Sequence, residues 1–245
     1  MKLHIIGSSS AGNGYIIESD TEALILETGC KFVEYKKALK FNISKIVGCF
    51  SSHVHGDHAK YMSEFVQSGI DTYALQEVLE EKGLLNAGFT HPIKPNAAYR
   101  VGSFIVQTFK AIHDVPCVGF VVRHEELGKL LFVTDSGYVG YKFKGLSHIM
   151  VEANYADDIL ESNMEKGYVP VGMRERLYVT HFEFENTKRF LKNQDLSEVS
   201  NIVLIHLSGG NSNEKRFVSE VQELTGIPTV AARPGVVIDI SKTPY

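Results

Sequence analysis

No run of the 245 residues is long and apolar enough to cross a bilayer, and the start, MKLHIIGSSS, carries no signal-peptide core. A cytoplasmic protein without a membrane partner is expected. Cysteine is scarce. Cys30, Cys49 and Cys117 form no CxxC pair, which argues against a disulfide framework and against a cysteine-built structural zinc. Positive charge is short as well. A net charge of −4 argues against a surface coated for duplex binding. It leaves room for a metal centre that engages phosphate locally. One basic cluster stands out, Lys31, Lys36, Lys37, Lys40 and Lys45, which suits a solvated helix face or a phosphate track. The run GSSSAGNG, Gly7 to Gly14, lacks the Lys-Ser/Thr of a P-loop and leads into a strand instead of a helix. It reads as a tight polar turn. Neither a linker nor a low-complexity tract appears, so one domain over residues 1–245 is expected.

An apolar fraction of 44% is ample for a core. LHII, YIIES and EALILE read as strands, the last two as a hairpin across Asp20. FVEYKKALKF has helical spacing, IVGCF is a buried strand, and AKYMSEFVQSG is a helix closed by Gly69. Further strands follow in FIVQTF, CVGFVVRH, KLLFVTDS, HIMVEAN, RLYVTHF and NIVLIHL. ADDILESNMEKG, ENTKRFLKNQ and a helix capped by Asn213 lie among them. TVAA and GVVIDI close the chain. About a dozen strands with five or six unevenly placed helices do not make a (β/α)₈ barrel. An α/β fold of two sheets packed face to face, with helices outside, fits better.

Ten histidines are present, and three of them fall in SSHVHGDHAKY with an aspartate between. His53 and His55 follow a strand and can point at one ion. Gly56 is expected to let the chain turn, and Asp57 and His58 follow near a helix start. Four such donors exceed what one tetrahedral zinc with an open position takes, so two adjacent ions are expected. Further ligands should stand at other strand ends. His113 after FIVQTF, Asp135 in VTDSG, His206 after NIVLI and His181 after RLYV do so. Asp135 is the carboxylate suited to bridging. His4, His91 (in a loop before Pro92), His124 and His148 read as ordinary structural or surface histidines.

The HxHxDH pattern, the isolated His113, the strand-end TDSG and the final His206 resemble the metallo-β-lactamase fold superfamily over essentially the whole chain. GSSSAGN, EAN, THFEFEN and HLSGGNS resemble, more narrowly, the YycJ/WalJ-like group, a bacterial and phage-borne group with nuclease activity on DNA. The resemblance implies an αββα sandwich. It makes His53, His55 and His113 ligands of a first metal, and Asp57, His58 and His206 ligands of a second, with Asp135 bridging. His181 would be a general acid. Two features depart from the pattern. Glu27-Thr28 stands where the superfamily usually has Asp before Gly, so either Glu27 reaches the ligand histidines or other groups support them. Phe-Glu-Phe-Glu-Asn follows His181 where the group more often has Leu-Ser-Asn.

Two divalent ions, zinc first with manganese or iron as alternatives, could activate a water and neutralise a phosphoryl group. Asp57 and Asp135 would also orient the water, and His181 would protonate the leaving oxygen. Ser9, Ser10 and Asn13, with Ser208 and Asn211, are candidate phosphate contacts. The span from Asp135 to His181 leaves no room for a cap domain, so an open groove suited to a DNA exonuclease is expected. A hydrolase of a small ester, thioester or lactone and a non-catalytic metal-binding protein are the rival readings.

Overall fold

The computed structural model describes residues 1–170 and 172–242. Two seven-stranded sheets make its centre. The first comprises β1 (Lys2–Ser9), β2 (Gly12–Glu18), β3 (Ala23–Leu26), β4 (Ile46–Phe50), β5 (Thr72–Leu75) and β6 (Thr90–Ile93), with β14 (Val237–Asp239) on the outer side of β1. The second runs in the order β13 (Thr229–Ala231), β12 (Asn201–Ile205), β11 (His148–Glu152), β10 (Gly128–Val133), β9 (Cys117–His124), β8 (Phe104–Ala111) and β7 (Ala98–Val101). Both sheets are mixed: hairpins make β1–β2–β3 and β7–β8–β9–β10 antiparallel, and crossovers make β3–β4–β5–β6 and β10–β11–β12–β13 parallel.

Strand β10 shows why these strands read as continuous apolar runs. Leu130 and Phe132 face the core between the sheets, while Leu131 and Val133 face the opposite layer. Both faces are covered, so neither alternates with polar residues. The inter-sheet core joins Leu3, Ile5, Tyr15 and Phe50 to Phe104, Phe120, Phe132 and Ile205. Helices α1 (Phe32–Ala38) and α3 (Met62–Gln67) cover the first sheet through Phe32, Tyr35 and Phe65. Helix α4 (Gln76–Glu81) follows β5 and α5 (Asp157–Glu165) follows β11, while α7 (Phe184–Lys192) and α8 (Glu214–Thr225) cover the second sheet through Phe190, Leu191, Phe217 and Val221. The result is the expected αββα sandwich.

Three local expectations are corrected. The segment Tyr-Val-Thr before His181 is no strand: α6 (Met173–Thr180) is a helix, with Tyr178 and Val179 exposed. Its Arg-Glu-Arg-Leu stretch favours helix, and among the described residues no neighbouring strand takes up the apolar residues. AKYMSEFVQSG splits into α2 (Gly56–Ala59) and α3, because the Tyr61 N–H turns away to the Thr28 carbonyl at 3.0 Å. His91 lies in β6, not a loop; Pro92 is accommodated because β6 is an edge strand. No helix among the described residues is long and apolar enough to cross a membrane.

Candidate metal centre

Strands β3, β4, β8, β10, β11 and β12 all end at one edge of the sandwich, and the chemistry-bearing side chains follow those ends. After β4, the chain stays extended through His55 (φ −55°, ψ 151°) and then enters α2. His53 and His55 therefore sit on the extended part, and Asp57 and His58 in the first helical turn. Gly56 is not the turning point expected of it: its φ is not positive and a Cβ there would meet nothing within 4 Å. Gly29 holds the close approach instead, since a Cβ there would lie 1.7 Å from the Asp57 carbonyl oxygen.

The side chains fall into two groups that share Asp135. In the first, His55 Nδ1 lies 3.2 Å from both His53 Nε2 and His113 Nε2, and Asp135 Oδ2 lies 3.9 Å from His53 Nε2. In the second, Asp135 Oδ1 lies 3.1 Å from His58 Nε2 and 2.7 Å from His206 Nδ1, while Asp57 Oδ2 lies 3.4 Å from His58 Nε2 and 3.3 Å from His206 Nε2. One carboxylate thus turns one oxygen to each group.

The outward ring nitrogens are held from behind. His113 Nδ1 donates to the Thr180 carbonyl at 2.9 Å, and because that oxygen only accepts, Nε2 is left with a free lone pair. Ser52 Oγ stands 2.9 Å from His53 Nδ1, and Glu27 Oε2 stands 3.4 Å from His58 Nδ1. Among the described residues, His206 Nε2 is buried without a hydrogen-bond partner, as is Glu27 Oε1. A buried imidazole nitrogen left unpaired among carboxylates is costly unless an ion takes its lone pair. The donor set, histidine with carboxylate oxygen and oriented from behind, fits divalent ions of the zinc, manganese or iron kind.

A third grouping brings in a residue that sequence reasoning missed. Glu152, wholly buried at the end of β11, joins Asp135, His181 and His206. Its Oε1 lies 2.7 Å from His181 Nδ1 and 3.1 Å from His206 Nδ1, and its Oε2 accepts from Phe182 N–H at 2.9 Å and Ser136 N–H at 3.3 Å. Its signal was the one used for His113 and Asp135: a chemistry-bearing residue ending an apolar strand. His181, at the C-terminal end of α6, is thereby brought to the site by a helix.

Other missed residues clamp the backbone. The His206 N–H donates to Ser8 Oγ at 2.9 Å, and its carbonyl accepts from Asn154 Nδ2 at 2.9 Å. His206 is held at φ +53° and Glu27 at φ +67°, in a region that side chains with a Cβ rarely occupy. Asp114, beside His113, approaches His113 Nε2 at 3.1 Å and His55 Nε2 at 3.4 Å.

Charge within this cluster is set by burial against pairing. Burial, then the neighbouring His58, pushes His53 well below its ordinary value, and burial lowers His113 too, leaving both in the neutral form a ligand needs. Burial alone would raise Asp57 and Asp135; histidine neighbours hold both well below the usual carboxylate range. Burial, the largest single effect, would lower His58, His181 and His206, but the carboxylates around them together outweigh it, Asp135 foremost at His58 and His206 and Glu152 at His181, so all three are raised.

The centre opens into a cleft of about 510 Å³. Ser10, Ser208 and Asn211 line it, as does Arg176. Ser9 and Asn13 do not. Ser9 Oγ accepts from Ala11 N–H at 3.2 Å within the hairpin turn, and the buried Asn13 amide faces His58 Nε2 at 3.0 Å and Asp57 Oδ2 at 3.4 Å. The lysine cluster is elsewhere, with Lys37 paired to Glu34 and Lys45 to Glu18.

An αββα sandwich with histidines and carboxylates gathered at one sheet edge is the metallo-β-lactamase fold. The solved structure of the metallo-β-lactamase fold protein YhfI from Bacillus subtilis matches with a TM-score of 0.70 at 18% identity, over 97% of this chain and 99% of that one. Zinc-bound PqqB from Methylobacterium extorquens matches with a TM-score of 0.73 at 13% identity, over 98% and 100%. In sequence, the exodeoxyribonuclease YycJ of Bacillus anthracis is 26% identical over 248 residues, covering 92% of this chain and 91% of its own. No family model matches. The fold and the clustered donors together support a metal-dependent hydrolase.

Proposed function

We propose that the protein is a metal-dependent phosphodiester hydrolase acting on DNA, as an exonuclease. The observation that carries this is the pair of donor groups sharing Asp135 at the floor of a cleft. His53, His55 and His113 would hold one ion, Asp57, His58 and His206 a second, and Asp135 would bridge. When bound, such a pair lowers the pKa of a water and offsets charge on a phosphoryl group.

The chain's own residues do the rest. Asp57 and Asp135 orient the attacking water by hydrogen bond. His181, its Nδ1 fixed by Glu152 at 2.7 Å, lines the cleft and is placed to pass a proton to the leaving oxygen. Ser10, Ser208 and Asn211 offer hydroxyl and amide groups to phosphate from the cleft wall. DNA as substrate is supported by the name of the Bacillus anthracis relative, which matches over nine-tenths of both chains.

The test incubates the protein with end-labelled single- and double-stranded DNA, with zinc or manganese, beside a panel of small esters, thioesters and lactones. Stepwise loss of nucleotides from an end is expected. Turnover of an ester with no cleavage of DNA would sink the nuclease reading. Asp135→Asn should abolish cleavage and lower bound metal from two ions per chain while the protein stays folded; full activity would remove Asp135 from the site.

A further inference from the structure

The irregular segment between β10 and β11 interleaves aromatic and basic residues: Tyr138, Tyr141, Lys142, Phe143, Lys144. It starts at the metal centre. Asp135 is three residues before Tyr138, and Tyr138 bridges to Ile112, the residue before His113. Gly137 N–H donates to the Ile112 carbonyl at 2.9 Å, and Ser136 Oγ to the same oxygen at 3.0 Å. From that anchor the segment passes along two further cavities. One, of about 220 Å³, is walled by Tyr138, Tyr141, Lys142 and Arg189. The next, of about 400 Å³, shares Tyr141 and Lys142 and adds Arg123, Lys129 and Lys144.

No carboxylate lines either cavity among the described residues. Arg123, Lys142, Lys144 and Arg189 are exposed, and none of the four takes part in an ion pair there. Asp195 and Glu198 stand only at the far end, near Lys144 and Gly145. In a chain of net charge −4 this is a local excess of cations. Tyr138 is 62% exposed and Tyr141 39% exposed. Aromatic faces spaced among unpaired cations suit a strand whose bases stack while its phosphates are neutralised.

We infer that the 138–144 segment, with Arg189 and Arg123, is a binding track for a single strand of nucleic acid, holding the part of the substrate remote from the cleaved end. This rests on the nuclease reading above and adds to it where the strand lies. Bases would stack on Tyr138 and Tyr141, and phosphates would meet Arg189, Lys142 and Lys144. The charges reach over the outer side of β8–β10, so the track serves only substrates long enough to leave the cleft.

The experiment compares kcat/KM on a single-stranded oligonucleotide of about 20 residues with that on a dinucleotide, at several salt concentrations. In the unaltered protein the long substrate is favoured. Lys142→Glu combined with Arg189→Glu should reduce that long-to-short ratio at least about tenfold, through KM, and flatten the salt dependence by about 0.7 per lost contact. Tyr138→Ala should lower the ratio about tenfold and Tyr138→Phe should keep it, since stacking needs the ring and not the hydroxyl. Unchanged ratios in these variants, with DNA still cleaved, would overturn the track and leave the nuclease reading standing. An unaltered protein that neither binds nor cleaves the oligonucleotide would overturn both. Binding to phosphatidylserine vesicles that the double variant abolishes, with oligonucleotide cleavage unaffected, would assign the track to a lipid surface instead.

Discussion

Glu152 accepts from four groups at once, two imidazoles and two backbone N–H groups, and so sets where His181 and His206 point. Glu152→Gln keeps the shape and removes the charge that orients both rings. Metal affinity should fall about 10–100-fold with the fold intact, measured by calorimetric titration of zinc; an unchanged affinity would assign Glu152 a packing role only. The two glycines of the site make a second test by contrast. Gly29→Ala forces a Cβ onto the Asp57 carbonyl and should cost about 1–3 kcal/mol in chemical denaturation. Gly56→Ala meets open space in the first turn of α2 and should change stability by less than about 0.5 kcal/mol. The reverse order would show that Gly56, not Gly29, sets the loop.

Helix α7 illustrates how an element supports the centre from outside it. Its cap is Glu183, whose side chain accepts from Glu185 N–H at 2.7 Å and Asn186 N–H at 3.2 Å. Directly before the cap, Phe182 N–H donates to Glu152, and inside the helix Phe184 stacks on Phe217 of α8 at 3.9 Å. Glu183→Ala should lower stability by about 0.5–2 kcal/mol in thermal or urea unfolding. No loss would mean the stacked rings alone hold the helix start. Helix α6 is the opposite case, an element whose type its short apolar run alone misjudges. Its Leu-Tyr-Val stretch has strand composition, yet among the described residues no sheet edge receives it, and so the helix preference of the preceding Arg-Glu-Arg-Leu prevails.

Across the whole molecule, the first sheet is tied together at a distance from the centre by Glu18. It pairs with Lys45 at 2.6 Å and His4 at 2.7 Å. Burial by itself would raise the Glu18 pKa; Lys45 and His4 outweigh it, and the carboxyl lies below its ordinary 4.5. A depressed carboxyl stabilises the fold above the unfolded value and loses that contribution as pH falls through the folded one. Glu18→Gln should therefore lower the Tm at pH 7, and the gap to the unaltered protein should close below about pH 4. A gap that persists unchanged at pH 3 would refute a charge-based role.

Periodicity and strand-end position, both local properties, were enough to read the layered sheets and the donors His53, His55, Asp57, His58, His113, Asp135 and His206 as a group. Each follows an apolar run of strand length, and a buried strand delivers its terminal residue to an edge; the same reading fails before His181, where the run folds as α6. What the sequence could not say is which oxygens and nitrogens meet. The Asp135 oxygens divide between two groups, Glu152 stands behind two histidines, and Ser8 and Asn154 clamp His206 from positions 198 and 52 residues away. Such pairings depend on how two sheets pack and on the direction of each crossover, and no window of neighbouring residues carries that information. The same holds for Asn13, whose turn looked ready for phosphate until the fold turned its amide onto His58, and for the Tyr138–Lys144 track, which only the tertiary structure sets beside Arg189 and leads from the metal centre.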